Sequence, residues 1–410
     1  MHPKELRIAD YTYDLPDERI AKYPLPERDE ARLLVYKEGN IDENTYKNLA
    51  GQLPEGALLV FNQTRVVHAR LLFRKATGGV IEVFCLSPHG EYADIQSAML
   101  QKGSVRWASM VGGASKWKPG MALEKHHEGP DFTLFVKVVD RTLTAYVLQM
   151  DWDDPNLTFA EVLHYCGHVP LPPYLHREAE PVDETSYQTM FAKEEGSVAA
   201  PTASLHFTPA VVDSLEVKNI QTAFVTLHVG AGTFKPVKSA TMEEHDMHAE
   251  WMEVSRDTLA VLMQQQGPVV AVGTTSLRTL ESLYWIGCQL LGGHTPDFHG
   301  VAVGQWEPYE DKPAHSTAQA LAAIQQYMEQ QGLEKLITRT QIMIAPGYTF
   351  RMADALITNF HQPQSTLLLL VAALVGEDWR KVYAYAMEQG FRFLSYGDGS
   401  LLYGRQPRML

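Results

Sequence analysis

Cysteine is scarce in this chain: its 410 residues include three cysteines, Cys85, Cys166 and Cys288, which lie far apart. They form neither a CxxC pair nor a disulfide framework, so we expect a cytoplasmic protein in a reducing environment. Long hydrophobic runs are also missing. The longest, Leu367–Val375, has nine residues, which is about half of what a membrane-spanning helix needs. This run is predicted to form a buried helix, and no membrane partner is expected.

Positive charge is the second shortage. The sequence has 49 acidic side chains against 35 Lys and Arg, and its formal net charge is −14. Non-specific binding of nucleic acids depends on clustered cations, so this balance excludes a general DNA or RNA coat protein. A local basic patch on an acidic body is still compatible with it. Arg65 and Arg70 belong to the densest basic run, and Lys116 follows later, so these three are candidate phosphate contacts.

The texture of the sequence changes twice along the chain. Residues 73–155 hold short β-rich segments separated by glycines, which is typical of a small antiparallel barrel. Beyond residue 155, buried strands such as Ala223–Leu227 and Val269–Gly273 run into Gly- and Thr-rich loops, as in α/β layer folds. Helices are predicted over Phe159–Cys166, Thr258–Gln265, Leu277–Trp285 and Ser316–Gln330. We therefore predict a mixed α/β layered main domain, residues 1–72 and 156–410, with an inserted antiparallel β-barrel domain at 73–155.

Two polar loops, residues 194–208 and 226–234, each carry a histidine and suggest one shared site. A histidine titrates near neutral pH, so His228 is a candidate general acid or base, although it could instead hydrogen-bond its own loop. A carboxylate of the Glu194–Glu195 pair could stabilise a positive charge, while at least one of the two is expected to be solvated. The other candidate binding residues of these loops are Thr202, His206, Gly230, Gly232 and Thr233.

A third loop follows the strand that ends at Gly273. The hydroxyls of Thr274 and Thr275 can hold ribose or carboxylate oxygens, and Arg278 lies one turn further, where it can pair with a carboxylate. The alternative is a plain strand-to-helix turn with Thr275 or Ser276 as the N-cap. No GxGxxG loop is present, so a dinucleotide site is not supported.

Two further groups of polar residues are candidates for a binding site. Asn359 and His361 precede Ser365, a predicted helix cap, and could face a ligand from there. His245 and His248 have a spacing that suits metal ligands on a helix. No third ligand of matching type is evident, so no metal is expected.

These loops are similar to those of the bacterial S-adenosylmethionine:tRNA ribosyltransferase-isomerases of queuosine biosynthesis. The resemblance runs in order along nearly the whole chain. The segments that carry it include Asn62–Leu71, Pro170–Tyr174, Glu194–Thr208, Thr226–Phe234, Val272–Ser282, Asp354–His361 and Ser395–Asp398.

The resemblance implies an enzyme that uses S-adenosylmethionine as a co-substrate and keeps no permanently bound cofactor. Its ribosyl unit would be transferred to an aminomethyl-deazaguanine at the tRNA wobble position and isomerised, releasing adenine and methionine. His228 would act as base or acid with Glu194 or Glu195 as partner, and the Gly273 loop with Arg278 would hold S-adenosylmethionine. From the distribution of charge, the barrel and the nearby Arg65 and Arg70 are expected to face the tRNA, and a monomer is expected.

The chain departs from the family pattern at several positions, among them Gln63, His68, Ser204 and Gln364. Some of these positions lie where a polynucleotide could be contacted. Two alternatives therefore stay open: a paralogue with a different acceptor, and a nucleoside-binding protein without catalysis. Release of adenine separates the enzyme from the binding protein, and dependence on tRNA separates the two enzymes.

Overall fold

The computed structural model describes residues 2–75, 78–90, 92, 94–118, 120–142, 145–230, 237, 239–310 and 315–405. The strands are β1 Arg32–Lys37, β2 Asn40–Thr45, β3 Leu58–Asn62, β4 Thr64–Val66, β5 Arg70–Arg74, β6 Val80–Pro88, β7 Ser104–Gly112, β8 Leu123–Glu128, β9 Asp131–Arg141, β10 Tyr146–Trp152, β11 Gly167–His168, β12 Glu194–Ser197, β13 Gln221–Leu227, β14 Glu250–Ser255, β15 Val269–Val272, β16 Lys335–Thr340, β17 Ala355–Asn359 and β18 Gly399–Tyr403. The helices are α1 Leu49–Gln52, α2 Ile95–Met99, α3 Phe159–Cys166, α4 Asp183–Ser186, α5 Pro209–Val217, α6 Arg256–Gln264, α7 Thr274–Leu291, α8 Glu307–Glu310, α9 Thr317–Gln331, α10 Thr366–Val375 and α11 Trp379–Glu388.

A large mixed sheet forms the centre of the protein, with strand order β16-β14-β13-β3-β15-β17-β18-β1-β2. Its middle strands β13, β3, β15 and β17 are parallel to one another. Strands β3, β15 and β17 are buried along their whole length, as expected for a sheet that is covered on both faces. The predicted mixed α/β class is confirmed. The carboxyl ends of the four parallel strands meet at one edge, where ligands of such sheets bind.

Helix α7 covers this sheet and carries the loop that follows β15. It begins at Thr274 and ends at Leu291, so it is longer at both ends than the predicted helix. Its backbone comes very close to α9, since a Cβ placed on Gly287 would lie 2.3 Å from the carbonyl oxygen of Ala320. The predicted buried helix at Leu367–Val375 is α10. Among the described residues, no helix is long and apolar enough to cross a membrane.

A second, antiparallel sheet has the strand order β11-β5-β6-β7-β10-β9-β8. Its strands alternate between buried and partly exposed side chains, most regularly in β6, and they enclose a hydrophobic core of their own. The sheet is curled, and its strands extend from Arg70 to His168. Its closure into a barrel and the domain boundaries at residues 73 and 155 stay predictions.

Candidate functional site

Asn62, the last residue of β3, holds three strand ends together. Its Nδ2 donates to the carbonyl of Leu227, 2.9 Å away, and to Oγ1 of Thr275, 3.1 Å away. Its Oδ1 accepts from the amides of Leu227 and Thr64, both at 3.1 Å. The side chain is fully buried, so these hydrogen bonds fix the ends of β3, β13 and β15 relative to one another.

The turn after β15 needs a backbone conformation with a positive φ, which its glycine can adopt. Gly273 has a φ of +88°, which favours glycine, and helix α7 starts at the next residue without a side-chain cap. The N-cap alternative is wrong, because Thr275 Oγ1 pairs with Asn62 and the Ser276 hydroxyl donates to the carbonyl of Val272. The first turn of a helix has backbone N–H groups without intrahelical partners, which suits it to bind anionic or hydroxyl oxygens.

A cavity of about 100 Å³, here called the turn cavity, lies in front of this turn. Asn359 contributes Oδ1, which accepts from the hydroxyl of Thr202 at 2.8 Å, while its Nδ2 is buried without a hydrogen-bond partner among the described residues. Burial lowers the pKa of His361 to about 3, so its imidazole is neutral at pH 7. The predicted binding residues that line the turn cavity are Gly273, Thr274, Thr275, Thr202, Asn359 and His361.

A larger cavity of about 440 Å³, the arginine cavity, adjoins it through the shared residues Ser365 and Leu367. Arg278 lines it and forms a buried ion pair with Glu250, whose Oε1 also accepts from the amide of Gly230 at 3.1 Å. Arg278 Nη2 has no hydrogen-bond partner among the described residues. The guanidinium therefore has donors that its internal pair does not use.

His245 and His248 also line the arginine cavity. They do not share a helical face, because His245 only ends the short 3-10 turn Met242–Glu244. In the part of the chain that the structure describes, no three His, Cys, Asp or Glu side chains are grouped as metal ligands would be.

His228, the first residue after β13, lines a third cavity of about 260 Å³ between the two sheets, the sheet cavity. Its Nδ1 lies 2.8 Å from Oγ1 of Thr64, and its Nε2 lies 3.6 Å from Oε1 of Glu253. Only 2% of the His228 side chain is exposed, and Nε2 is buried. The imidazole thus lies between two protein groups, the hydroxyl of Thr64 on the Nδ1 side and the carboxylate of Glu253 on the Nε2 side.

Glu253 connects this histidine to one of the predicted acidic residues. Burial raises the pKa of Glu253, but the interactions with His228 and with Lys335 outweigh this, and the pKa lies below its usual value. Lys335 Nζ lies 3.3 Å from Oε2 of Glu253 and 3.3 Å from Oε1 of Glu194. Sequence reasoning missed both Glu253 and Lys335. For Glu253 the sequence did contain a signal, because a charged residue stands between apolar residues in the middle of the mostly buried strand β14.

The remaining predicted catalytic and basic residues lie outside these cavities. Glu195 faces solvent with 39% of its side chain exposed, and its Oε1 lies 3.8 Å from Nε of Arg65. Arg70 pairs with Glu82 at 2.6 Å. The carbonyl of Lys116, in the turn Ala114–Lys116, accepts a hydrogen bond from the Lys75 ammonium. Arg65 and Arg70 are therefore partly engaged by carboxylates of the protein itself.

His206, also predicted to bind substrate, does not line any of the three cavities. It is buried against Tyr46, with ring centroids 4.5 Å apart, and lines a small separate void beside Arg28 and Arg392. Burial and the nearby charge of Arg392 lower its pKa to about 4. Gly232 and Thr233, also predicted to bind substrate, lie outside the described residues.

Comparison with known proteins agrees with the resemblance of the loops. A family model described as "Queuosine biosynthesis protein" matches residues 8–402. A protein of Magnetococcus marinus is 36% identical over 401 residues, which cover 97% of this chain and 94% of that protein. A protein of Aquifex aeolicus is 37% identical over 404 residues, which cover 97% and 100%. Both relatives are named S-adenosylmethionine:tRNA ribosyltransferase-isomerase.

A solved structure, the S-adenosylmethionine tRNA ribosyltransferase of Thermotoga maritima, aligns over 96% of this chain and 99% of that one, with 25% identity and a TM-score of 0.45. The family assignment does not depend on that alignment. It rests on the family model, which spans nearly the whole chain, and on two relatives that are more than a third identical over 94% and 100% of their lengths. The chain therefore belongs to the queuosine biosynthesis family of S-adenosylmethionine:tRNA ribosyltransferase-isomerases.

Proposed function

We propose that this enzyme transfers and isomerises the ribosyl unit of S-adenosylmethionine onto the aminomethyl group of a deazaguanine at the tRNA wobble position. The products would be epoxyqueuosine in the tRNA, adenine and methionine. S-adenosylmethionine serves as co-substrate and no cofactor is kept. The observation that carries this proposal is the grouping of six predicted binding residues in the turn cavity, beside the arginine cavity.

In this proposal S-adenosylmethionine extends across both cavities. Its ribose hydroxyls meet Thr274, Thr275 and the first turn of α7, while its amino-acid carboxylate meets Arg278. Ser365 and Leu367 line both cavities, so the two cavities are neighbours, as a ligand that occupies both requires. The carboxylates of the arginine cavity, with Glu250 among them, then lie near the positive sulfonium and ammonium groups.

The reaction needs two proton transfers. The sulfonium charge acidifies the neighbouring C–H, whose proton a base must take, and the departing adenine needs a proton from an acid. His228 is the proposed residue for one of these steps, and Glu194 enters as a partner through Lys335 and Glu253. A carboxylate that holds the imidazole orients it and stabilises the imidazolium that forms when it accepts a proton.

This role requires movement of the His228 ring. Its nitrogens face Thr64 and Glu253 rather than the cavity, so the imidazole has to give up one of these contacts when substrate binds. Catalytic hydrogen bonds are often rearranged between the free and the substrate-bound enzyme, and the movement of this ring would be such a rearrangement.

Adenine release from S-adenosylmethionine, followed chromatographically with and without tRNA that carries the aminomethyl-deazaguanine, tests the proposal. We expect adenine to be formed only with this tRNA. His228→Ala should lower turnover by roughly 10²–10⁴-fold and leave the affinity for S-adenosylmethionine unchanged. Release that ignores this tRNA would favour a different acceptor, and binding without any release would contradict the enzymatic proposal.

A further inference from the structure

A row of aromatic rings lies on the surface where α3, β8 and the segment before β5 meet. The His68 and His164 ring centroids are 5.1 Å apart, those of His164 and Tyr165 are 5.3 Å apart, and those of Tyr165 and His127 are 5.1 Å apart. Tyr165 is 37% exposed and His164 is also exposed. We call these four side chains the aromatic ledge.

The imidazoles of the ledge are anchored to the backbone. His68 Nδ1 lies 3.1 Å from the carbonyl of His164, and His127 Nδ1 lies 3.0 Å from that of Pro130. Burial is the main cause that lowers the pKa of His68, so this ring is neutral at pH 7. The flat faces of such rings suit flat apolar ligands.

Cations and carboxylates both surround the ledge. Lys125 Nζ donates to the carbonyl of Cys166 at 2.7 Å, and His168 pairs in register with Arg70 between β11 and β5. Arg70 is already paired with Glu82. The other carboxylates whose charge acts on His68 and His168 are Glu184 and Glu178. Electrostatics at the ledge are therefore mixed, and stacking has to supply most of the affinity for any partner.

The ledge lies next to the candidate site along the chain. Thr64, which contacts His228, is followed by Arg65, and β4 pairs with β12, so that Glu195 lies in register with Arg65. His68 follows three residues after Arg65, whose charge acts on it, and is the first ring of the row. For a polymer with one unit near His228, the ledge is thus a candidate surface for the neighbouring units.

We propose that the aromatic ledge binds unpaired nucleotides next to the reacting base of the RNA acceptor. Their bases stack on Tyr165 and the neighbouring imidazoles, and their phosphates meet Arg65 and Lys125. Proteins recognise single-stranded RNA loops by this combination of stacking rings and cations. The inference rests on the proposed function, because it takes RNA as the acceptor. It moves the main RNA contact from charged residues such as Lys116 to aromatic ones.

The test compares two substitutions at one exposed position. Binding of a fluorescent RNA hairpin with the sequence of a tRNA anticodon arm is measured by anisotropy at low salt. Tyr165→Ala should weaken binding by about 5- to 150-fold, which corresponds to the stacking of one base. Tyr165→Phe keeps the ring and should stay within about twofold of the wild type, since stacking tolerates loss of the hydroxyl. Calorimetry with S-adenosylmethionine alone should give the same affinity for all three proteins.

The outcomes separate the ledge from the function itself. If Tyr165→Ala binds the hairpin as tightly as the wild type, or if Tyr165→Phe loses as much affinity as Tyr165→Ala, the ledge does not bind RNA by stacking. In either case, adenine release that depends on RNA would still support the proposed function. If the wild-type protein neither binds the hairpin nor releases adenine with modified tRNA, the proposed function fails first.

Discussion

His206 offers a sharp test of whether a predicted ligand residue is structural. The substitution His206→Gln keeps a polar side chain of similar size but removes the titrating group. Because His206 is buried away from the three cavities, we expect the affinity for S-adenosylmethionine to stay unchanged. What should change is the dependence of folding stability on pH.

The size of this change follows from the lowered pKa of about 4, against 6.5 for an ordinary histidine. Between these two pH values the unfolded chain binds a proton at this position and the folded chain does not, so stability falls as the pH falls. One pKa unit corresponds to about 1.4 kcal/mol. From pH 7 to pH 5 the wild type should thus lose ~2 kcal/mol through His206 alone.

Urea unfolding at pH 7 and pH 5 measures this loss for each protein. The His206→Gln protein should lose ~2 kcal/mol less than the wild type over the same interval, whatever its stability at pH 7. His164→Gln, which removes an exposed imidazole, is the matched control and should behave as the wild type does. Equal losses in wild type and His206→Gln, or weaker binding of S-adenosylmethionine by His206→Gln, would refute this account of His206.

Two further predictions concern the buried charges of the site. Arg278→Ala should weaken binding of S-adenosylmethionine by ~1.5–3 kcal/mol, because a charge-assisted hydrogen bond is lost; unchanged affinity by calorimetry in a folded variant would remove Arg278 from the site. Glu253→Gln keeps the shape of the side chain but not its charge, and should lower kcat by about 10²-fold with little change in KM for S-adenosylmethionine. A fall in affinity with normal turnover would instead give Glu253 a binding role.

Local sequence reasoning found the loops at the strand ends because glycines and hydroxyls are unusual directly after buried strands. Gly273 and Thr275 were found in this way, and parallel strands then bring such loops together. Glu253 was not predicted because its position beside His228 depends on the pairing of β13 with β14, a contact between distant parts of the chain. His206 was grouped with the site because it shares a loop with Thr202, but the 3-10 turn Thr202–His206 directs the two side chains to different places.

The dipeptide Val229–Gly230 is a partition common to all three cavities. Val229 borders the turn and sheet cavities, and Gly230 borders the arginine and sheet cavities. A molecule that displaces this partition from one cavity changes the shape of the neighbouring cavity, and so changes how well a second molecule fits there. If S-adenosylmethionine alters the affinity for the acceptor by some factor, the acceptor must alter the affinity for S-adenosylmethionine by the same factor. Any such coupling between the two sites would pass through the position of these two residues.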